Sequence, residues 1–404
     1  MRASASLGTA PGLYNNPVVK AENDGKALLG NYSRYHVEFA SGDGAYLYDK
    51  EGNRYLDFLS GIAVTGFGHN NYTIKMAVED QLNKLWHVSN LFEASGQEEL
   101  AQKLVSKTGL GKVFFCNSGT EANEAAIKFA RKWGHGRSEI ITALGGFHGR
   151  TMGSLSATAQ YKVWEGFFPL TPGFKYVPFG DLNAIEHTIT SSTVAIMVEP
   201  IQGESGIVVP HKGYLKGLRE ICDRHNLLLI FDEVQAGMGR TGKFFAYQWE
   251  DIKPDIITSA KGIANGIPLG AVICTEEVGS VMVPGSHGST FGGNPLAIAA
   301  ANKVADLLDE DTLSTIESYG NMLKNAIIGL NLDCIKEVRG KGLLIGIELE
   351  EGKSAKATAK KLLENRVVIG VSGDNVLRIL PPFIITEKEI LNFVLALEKV
   401  LTSE

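Results

Sequence analysis

A chain of 404 residues, 44% hydrophobic and 21% charged, can bury a substantial core, and 46 glycines punctuating short apolar runs exclude a disordered polymer. The net charge of −6, with no block of like charges, argues against a dedicated nucleic-acid surface and leaves anionic ligands to individually placed arginines. Cys116, Cys222, Cys274 and Cys334 stand apart, without a C-x-x-C or a nearby His pair, so neither a disulfide framework nor a metal site is signalled.

The opening "MRASASLGTAPG" lacks the apolar region of a secretory signal, and Arg2 alone is too few arginines for an organelle transit peptide. No apolar run approaches a membrane span, so a cytoplasmic location is expected. Periodicity is weak up to about residue 40. "AYLYDKEGNRYLDF" (Ala45 to Phe58) then reads as a strand, a turn at Glu51-Gly52-Asn53 and a second strand. From Lys112 onward the runs "KVFFC", "EIITAL", "VAIMVE", "LLLIF", "DIITS" and "AVICT" alternate with helical stretches, the pattern of a mainly parallel sheet covered on both faces. After this come two long helical patterns, Pro295 to Glu310 and Leu313 to Leu330. Strand-like "GLLIGIELE" and "NVLRILP" and a helix from Glu387 complete a C-terminal α+β unit. Ligands of open α/β sheets bind at the carboxyl ends of the strands, which directs attention to the residues there.

"GMGRTGKFF" (Gly237 to Phe245) matches a dinucleotide fingerprint and most of a phosphate loop, but the flanks fail both. Five residues separate its first glycine from the strand, no helix follows, and Phe244 stands where a phosphate loop needs a hydroxyl. The acid before it is more informative. Asp232 closes "LLLIFD" at the carboxyl end of a buried strand, where an unpaired carboxylate is costly, so it requires a proton or a cation. Lys261 follows the next strand, "DIITS", at the same edge. Such a pair suits pyridoxal 5′-phosphate, with the lysine forming the Schiff base and the acid holding the ring nitrogen protonated. The phosphate would then take the helix N-terminus after "KVFFC", where the Gly119 and Thr120 amides and the Thr120 hydroxyl meet the favourable end of the dipole.

With these residues in place the chain resembles the class III (subgroup II) pyridoxal-phosphate-dependent aminotransferases. The likeness runs from about Gly44 to Pro382, through "YLDFLSGIAV", "NSGTEANEAAIKFAR", "FHGRT", "VEPIQGESG", "FDEVQAGMGRTG", "AKGIANGIPLGA", "HGSTFGGNPLA" and "RILPP" in that order. It implies fold type I, an α/β architecture with a large, mostly parallel sheet domain (61–300), a smaller C-terminal α+β domain (301–404) and an N-terminal segment (1–60) packed with the latter. It also implies a homodimer with active sites at the interface. Carried over residue by residue, Lys261 and Asp232 are catalytic. Phe147 and Val234 would lie on opposite faces of the cofactor ring, Gln235 near its phenolic oxygen, Gly119 and Thr120 on the phosphate, and Thr290 would reach the phosphate from the neighbouring subunit. His148 reads as a structural hydrogen bonder.

The resemblance places Arg378 on the α-carboxylate of glutamate and Arg150 on its distal carboxylate or on the carboxylate of an acylated ornithine. Glu204 becomes a removable partner of Arg378, and Ser289 and Tyr32 further substrate contacts. Arginine suits such sites because its planar fork binds carboxylates bidentately. Ile62 stands where ornithine-specific members carry a tyrosine, which favours N2-acetylornithine as donor and 2-oxoglutarate as acceptor. Ornithine, succinylornithine, succinyl-diaminopimelate, a carrier-linked lysine and 4-aminobutyrate remain alternative donors, and an aminomutase the alternative reaction. "RYH" (Arg34 to His36) and "LFEASGQEEL" (Leu91 to Leu100) depart from the family's usual proline and tyrosine-and-proline forms, which leaves the acyl pocket they border open.

Overall fold

Three sheets organise the chain in the computed structural model, which describes residues 27–403. The leader reading of residues 1–12 lies outside the described residues. Phe39–Glu404 form one unit and the preceding residues another. In the latter Tyr32 is exposed, with the Arg34 guanidinium 5.8 Å from its ring centre.

The first sheet begins as an antiparallel meander of β1 (Phe39–Asp43), β2 (Tyr46–Asp49) and β3 (Arg54–Asp57). The expected turn closes because Asp49 Oδ1 accepts from the amides of Glu51 (3.1 Å) and Asn53 (2.7 Å), while Gly52 takes φ +80°.

The second sheet contains β4 (Lys112–Cys116), β5 (Glu139–Ala143), β6 (Phe174–Val177), β7 (Thr193–Val198), β8 (Leu228–Asp232), β9 (Ile256–Ser259) and β10 (Gly270–Cys274). Its order is β4-β10-β9-β8-β7-β5-β6, parallel except for β10, which runs antiparallel to both neighbours. Every residue of β7, β8, β9 and β10 is buried, as a sheet covered on both faces requires. Alternation along β8 divides the core: Leu228 and Ile230 join the cluster that holds the helix Gly119–Trp133, while Leu229 and Phe231 face the other side. Asp232 therefore points to the helix side. That helix packs Ala122, Ala125, Ala126 and Ala130 against the sheet, small residues that allow close approach.

The C-terminal region supplies β11 (Ile335–Lys341), β12 (Leu344–Leu349), β13 (Val367–Val368), β14 (Gly370–Ser372) and β15 (Val376–Ile379). Four of them form the antiparallel third sheet, β11-β12-β15-β14, and β13 pairs parallel with β3 to close the first. The two long helices run Pro295–Leu307 and Glu310–Gly329, so the break falls earlier than the apolar pattern predicts: Asp309 caps the second helix by accepting from Thr312 N at 2.8 Å. The final helix, Glu387–Thr402, starts where expected, behind a capping box of Thr386 and Glu389. Among the described residues no helix is long and apolar enough to cross a membrane.

The glycine stretch 237–242 is a tight reversal with no helix aimed at a ligand. Gly239 and Gly242 take φ +85° and +87°, and a Cβ on Gly237 would lie 2.6 Å from the Glu233 carbonyl oxygen. A 3₁₀ turn, Ala246–Glu250, follows it.

Candidate active site

The carboxyl ends of β4, β5, β7, β8 and β9 surround a cavity of about 430 Å³, within the usual range for a small-molecule site. Asp232 and Lys261 line it together. Asp232 Oδ2 accepts from Asn123 Nδ2 (2.7 Å) and His148 Nδ1 (2.8 Å), and Oδ1 accepts from Val234 N (3.0 Å). The carboxylate is thus held from behind on one oxygen, leaving acceptor capacity on the other for a protonated group in the cavity. Asn123 is itself fixed, donating to the His148 carbonyl (2.6 Å) and accepting from Thr258 Oγ1 (2.7 Å). His148 is thereby placed as a hydrogen bonder to Asp232.

Lys261 opens a short 3₁₀ turn at φ +46°, and its Nζ has no hydrogen bond or ion pair among the described residues. Burial holds the amine below the usual lysine range, and the Glu204 carboxylate only partly opposes this. A depressed, unpartnered lysine is suited to act as nucleophile and proton carrier.

The far end of the cavity is the N-terminus of the helix Gly119–Trp133. Ser118 caps it, accepting from Glu121 N at 3.2 Å, while Glu121 Oε2 accepts from Asn117 N at 2.7 Å. Gly119 is dictated by packing, since a Cβ there would lie 2.7 Å from Val234 Cγ1. Thr120 Oγ1 joins the hydroxyls of Ser154 (2.6 Å) and Thr151 (3.0 Å). Phe147 and Val234 both line the cavity, and the Arg150 guanidinium sits 5.5 Å from the Phe147 ring centre at the exposed mouth.

On the substrate side Glu204 is ion-paired with Arg378 and accepts from Gln235 Nε2 at 3.2 Å, leaving Gln235 Oε1 buried without a partner. Burial is the largest single influence and would raise the Glu204 carboxyl, but the Arg378 and Lys261 charges and the hydrogen bonds from Arg378 and Gln235 together hold the group below its ordinary value. Arg378 is 4% exposed and its Nε has no partner, so the guanidinium has donor capacity to spare.

The structure also fixes the surroundings of Ser289, Thr290 and Ile62. Ser289 Oγ accepts from Asn117 Nδ2 and Gly292 N, both at 3.0 Å, and so braces the strand end. Thr290 is exposed and does not line the cavity within one chain. Ile62 lies in a left-handed turn with Ser60, Gly61 and Ala63, at φ +67°, an unusual conformation for a β-branched side chain; from this segment Val64 lines the cavity. The turn is held by Asp57, whose Oδ1 accepts from Leu59 N and Ser60 N at 2.9 Å and whose Oδ2 meets His69 Nε2 at 2.7 Å.

Glu199 and Asn123 escaped the sequence reading. Glu199 carries the same signal as Asp232, an acid directly after a buried strand, and Asn123 is a polar residue on an alanine face, which implies a buried partner.

The cavity matches a known chemistry, and so does the whole chain. Residues 30–401 match the family model described as aminotransferase class-III. The chain is a class III aminotransferase. An acetylornithine aminotransferase of Methanocaldococcus jannaschii is 46% identical over 381 residues, covering 92% of this chain and 95% of that protein. The N-acetylornithine aminotransferase of Stenotrophomonas maltophilia superposes with TM-score 0.81 at 34% identity, over 92% of this chain and 97% of its own. An ornithine aminotransferase of Toxoplasma gondii superposes with TM-score 0.89 at 32% identity, over 94% and 93%, and has PLP at partial occupancy in its active site. The α/β architecture is that of fold type I, and the family's cofactor is pyridoxal 5′-phosphate. The residues present fit that group: a lysine without a partner and an acid with a free acceptor position, facing one cavity that ends at a helix N-terminus.

The aminotransferase keeps further acids beside this site. Glu199 accepts from Phe147 N (2.9 Å) and Gly203 N (3.0 Å), yet burial, reinforced by Asp232, pushes its carboxyl up to about 7. An acid that binds its proton more tightly in the fold adds stability in full below the unfolded value of 4.5 and loses it as pH rises through about 7. The swing is on the order of 3 kcal/mol at most. Thermal unfolding at about pH 4.5 and about pH 7.5 should show this loss, and Glu199→Gln, which keeps the side chain neutral, should flatten it. An unchanged slope in that variant would assign the dependence to another group, such as Glu233, which burial raises to about 8.

Proposed function

We propose that this aminotransferase moves the terminal amino group of N2-acetylornithine to 2-oxoglutarate, giving N-acetylglutamate 5-semialdehyde and glutamate. The observation that carries this reading is the Glu204–Arg378 pair beside Lys261. An enzyme that alternates between an ω-amine donor and an α-amino dicarboxylate needs an arginine that can be neutralised in one half-reaction and exposed in the other. The acyl preference is supported by relatives at 46% identity that carry the name acetylornithine aminotransferase.

When bound, pyridoxal 5′-phosphate supplies an aldehyde conjugated to a ring that accepts the electrons of a broken C–H bond. Asp232 would hold the proton at the ring nitrogen, with Asn123 and His148 keeping that carboxylate from turning. Lys261 Nζ, kept neutral by burial, would take the proton from the amine-bearing carbon of the substrate and deliver it to the carbon of the cofactor's aldehyde group. Phe147 and Val234 would confine the ring, Gln235 would lie near its phenolic oxygen, and Gly119 and Thr120 would hold the phosphate. Arg378, once released by Glu204, binds the α-carboxylate of glutamate, and Arg150 at the mouth takes the remaining carboxylate.

The active enzyme is read as a homodimer. Leu91 is 87% exposed, and Trp86, Phe92 and Phe291 are exposed beside it; Asn90 Nδ2 donates to the Ser289 and Gly292 carbonyls, tying this apolar surface to the segment that carries Thr290. A second copy covering it would bring its Thr290 toward the phosphate end. Residues 61–300 are read as the cofactor-binding domain and the described residues from 301 as the small domain, and the pairing of β3 with β13 supports packing of the β1–β3 meander with the latter.

The test is a panel of acylated and free ω-amino acids with 2-oxoglutarate as acceptor. N2-acetylornithine should exceed ornithine in kcat/KM by about tenfold or more, a difference of about 1.4 kcal/mol in transition-state binding. Ornithine or 4-aminobutyrate outperforming every acylated donor would sink the substrate assignment, and turnover without added 2-oxoglutarate would favour an aminomutase.

A further inference from the structure

Arg240 is 1% exposed, in the glycine loop that follows the cofactor strand, and among the described residues no carboxylate lies within ion-pair distance of it. Its Nη1 donates to the Pro381 carbonyl and, at 3.4 Å, to the Leu343 carbonyl. Its guanidinium lies 4.4 Å from the Phe383 ring centre, and its own carbonyl accepts from Leu343 N at 3.0 Å. Nη2 is buried with no partner. Burying an unpaired guanidinium is expensive, and a methionine of similar length would pack there without that cost. What the guanidinium supplies beyond packing is a cation over the Phe383 ring, attraction to the Asp57 carboxylate, and donors to the carbonyls.

Those carbonyls matter because of where they lie. Pro381 follows β15, the strand that carries Arg378, whereas Arg240 shares a loop with Gln235. Two side-chain links therefore join the same two segments: Gln235 to Glu204 to Arg378 at the substrate, and Arg240 to Pro381 behind it. The backbone amides of Leu380 and Phe383 also tether this segment, to the Phe58 and Gly66 carbonyls of the turn that carries Val64, and Leu380 packs in one cluster with Ala63 and Ala236. When Glu204 moves aside the first link opens, and Arg240 remains to keep the two segments in register.

We propose that Arg240 is a positioning residue that sets the reach of Arg378 toward a substrate carboxylate by holding the Pro381 carbonyl against the cofactor loop. The proposal rests on the reading of Arg378 given above. It predicts a loss confined to the dicarboxylate half-reaction, which general loosening of the fold would not produce.

The experiment uses the full-length holoenzyme and its Arg240→Met and Arg240→Lys variants. Each half-reaction is followed separately, with glutamate or with the best ω-amine donor, and the Kd of glutarate, an unreactive five-carbon dicarboxylate, is measured by titration. Arg240→Met should weaken glutarate and raise the glutamate KM by roughly tenfold, leave the ω-amine half-reaction within about twofold, and be partly rescued by lysine. Combined with Arg378→Ala it should add less than about twofold, because its effect runs through that residue. Equal losses in both half-reactions, an unchanged glutarate Kd, or full additivity in the double variant would overturn it. Should Arg240→Met fail to fold, Phe383→Leu, which removes the ring beneath the guanidinium and keeps the charge, must show the same split; absence of the split overturns the proposal. If Arg378→Ala itself leaves glutarate binding unchanged, the reading of Arg378 falls and this proposal with it. If Arg378→Ala weakens glutarate and Arg240→Met does not, only the positioning role is lost.

Discussion

Lys261→Ala is expected to lower turnover by about 10⁴-fold or more, because one amine serves as both covalent anchor and proton carrier. The surroundings offer no substitute. Asp232 is the nearest strand-end acid in sequence, but its Oδ2 is taken by Asn123 and His148. Glu199 is committed to the amides of Phe147 and Gly203, and Glu204 to Arg378. Burial keeps Lys261 below the usual lysine range, so the amine lost is the reactive one. Steady-state glutamate formation and the visible absorption of the holoenzyme check this together. Activity within tenfold of the parent, or a visible band unaltered by the substitution, would contradict the role of Lys261.

Asp232→Asn should follow, with both half-reactions slowed by about 10²- to 10³-fold, the usual scale for removing one preorganised electrostatic contact to a reacting system. Asparagine preserves the shape but not the charge, and its amide nitrogen would place donor against donor if turned toward Asn123 and His148. Asn123→Ala, which removes one support and leaves the carboxylate, should cost about tenfold or less. Rapid-mixing measurements with each substrate separate these cases. Because the ring nitrogen serves both half-reactions, Asp232→Asn must slow them alike, in contrast to the split expected of Arg240→Met. A loss restricted to one substrate would remove Asp232 from the ring nitrogen.

Much of the fold was legible because the strands of the central sheet, most of them buried on both faces, read as uninterrupted apolar runs. The segments at Lys112, Glu139, Thr193, Leu228, Ile256 and Gly270 became strands within a residue or two of their apolar limits. The strands that went unread are of another kind. β11, "IKEVRGK", carries its charges on an edge, where solvent satisfies one side and the apolar pattern fades. β1, "FASGD", is mostly exposed for the same reason. The helix Ala355–Glu364 buries only Ala355, Thr358, Ala359 and Leu362, a stripe too narrow and too small to stand out.

The site divides along a similar line. Asp232, Lys261, Gly119 and Thr120 were found because each sits where a strand ends, and strand ends can be read from local pattern. Asn123, Glu199 and Arg240 needed the tertiary structure. A buried polar group is identified by its partners, and those partners are remote in sequence: Asp232 for Asn123, Phe147 for Glu199, Pro381 for Arg240. Local pattern picked out a strand-end acid and a strand-end lysine, and the likeness of whole motifs pointed to the family and its cofactor. Packing decided how those two groups are held, which of Arg378's donors are occupied, and why a guanidinium is buried without a carboxylate. These are questions of distance between segments that the chain order does not encode.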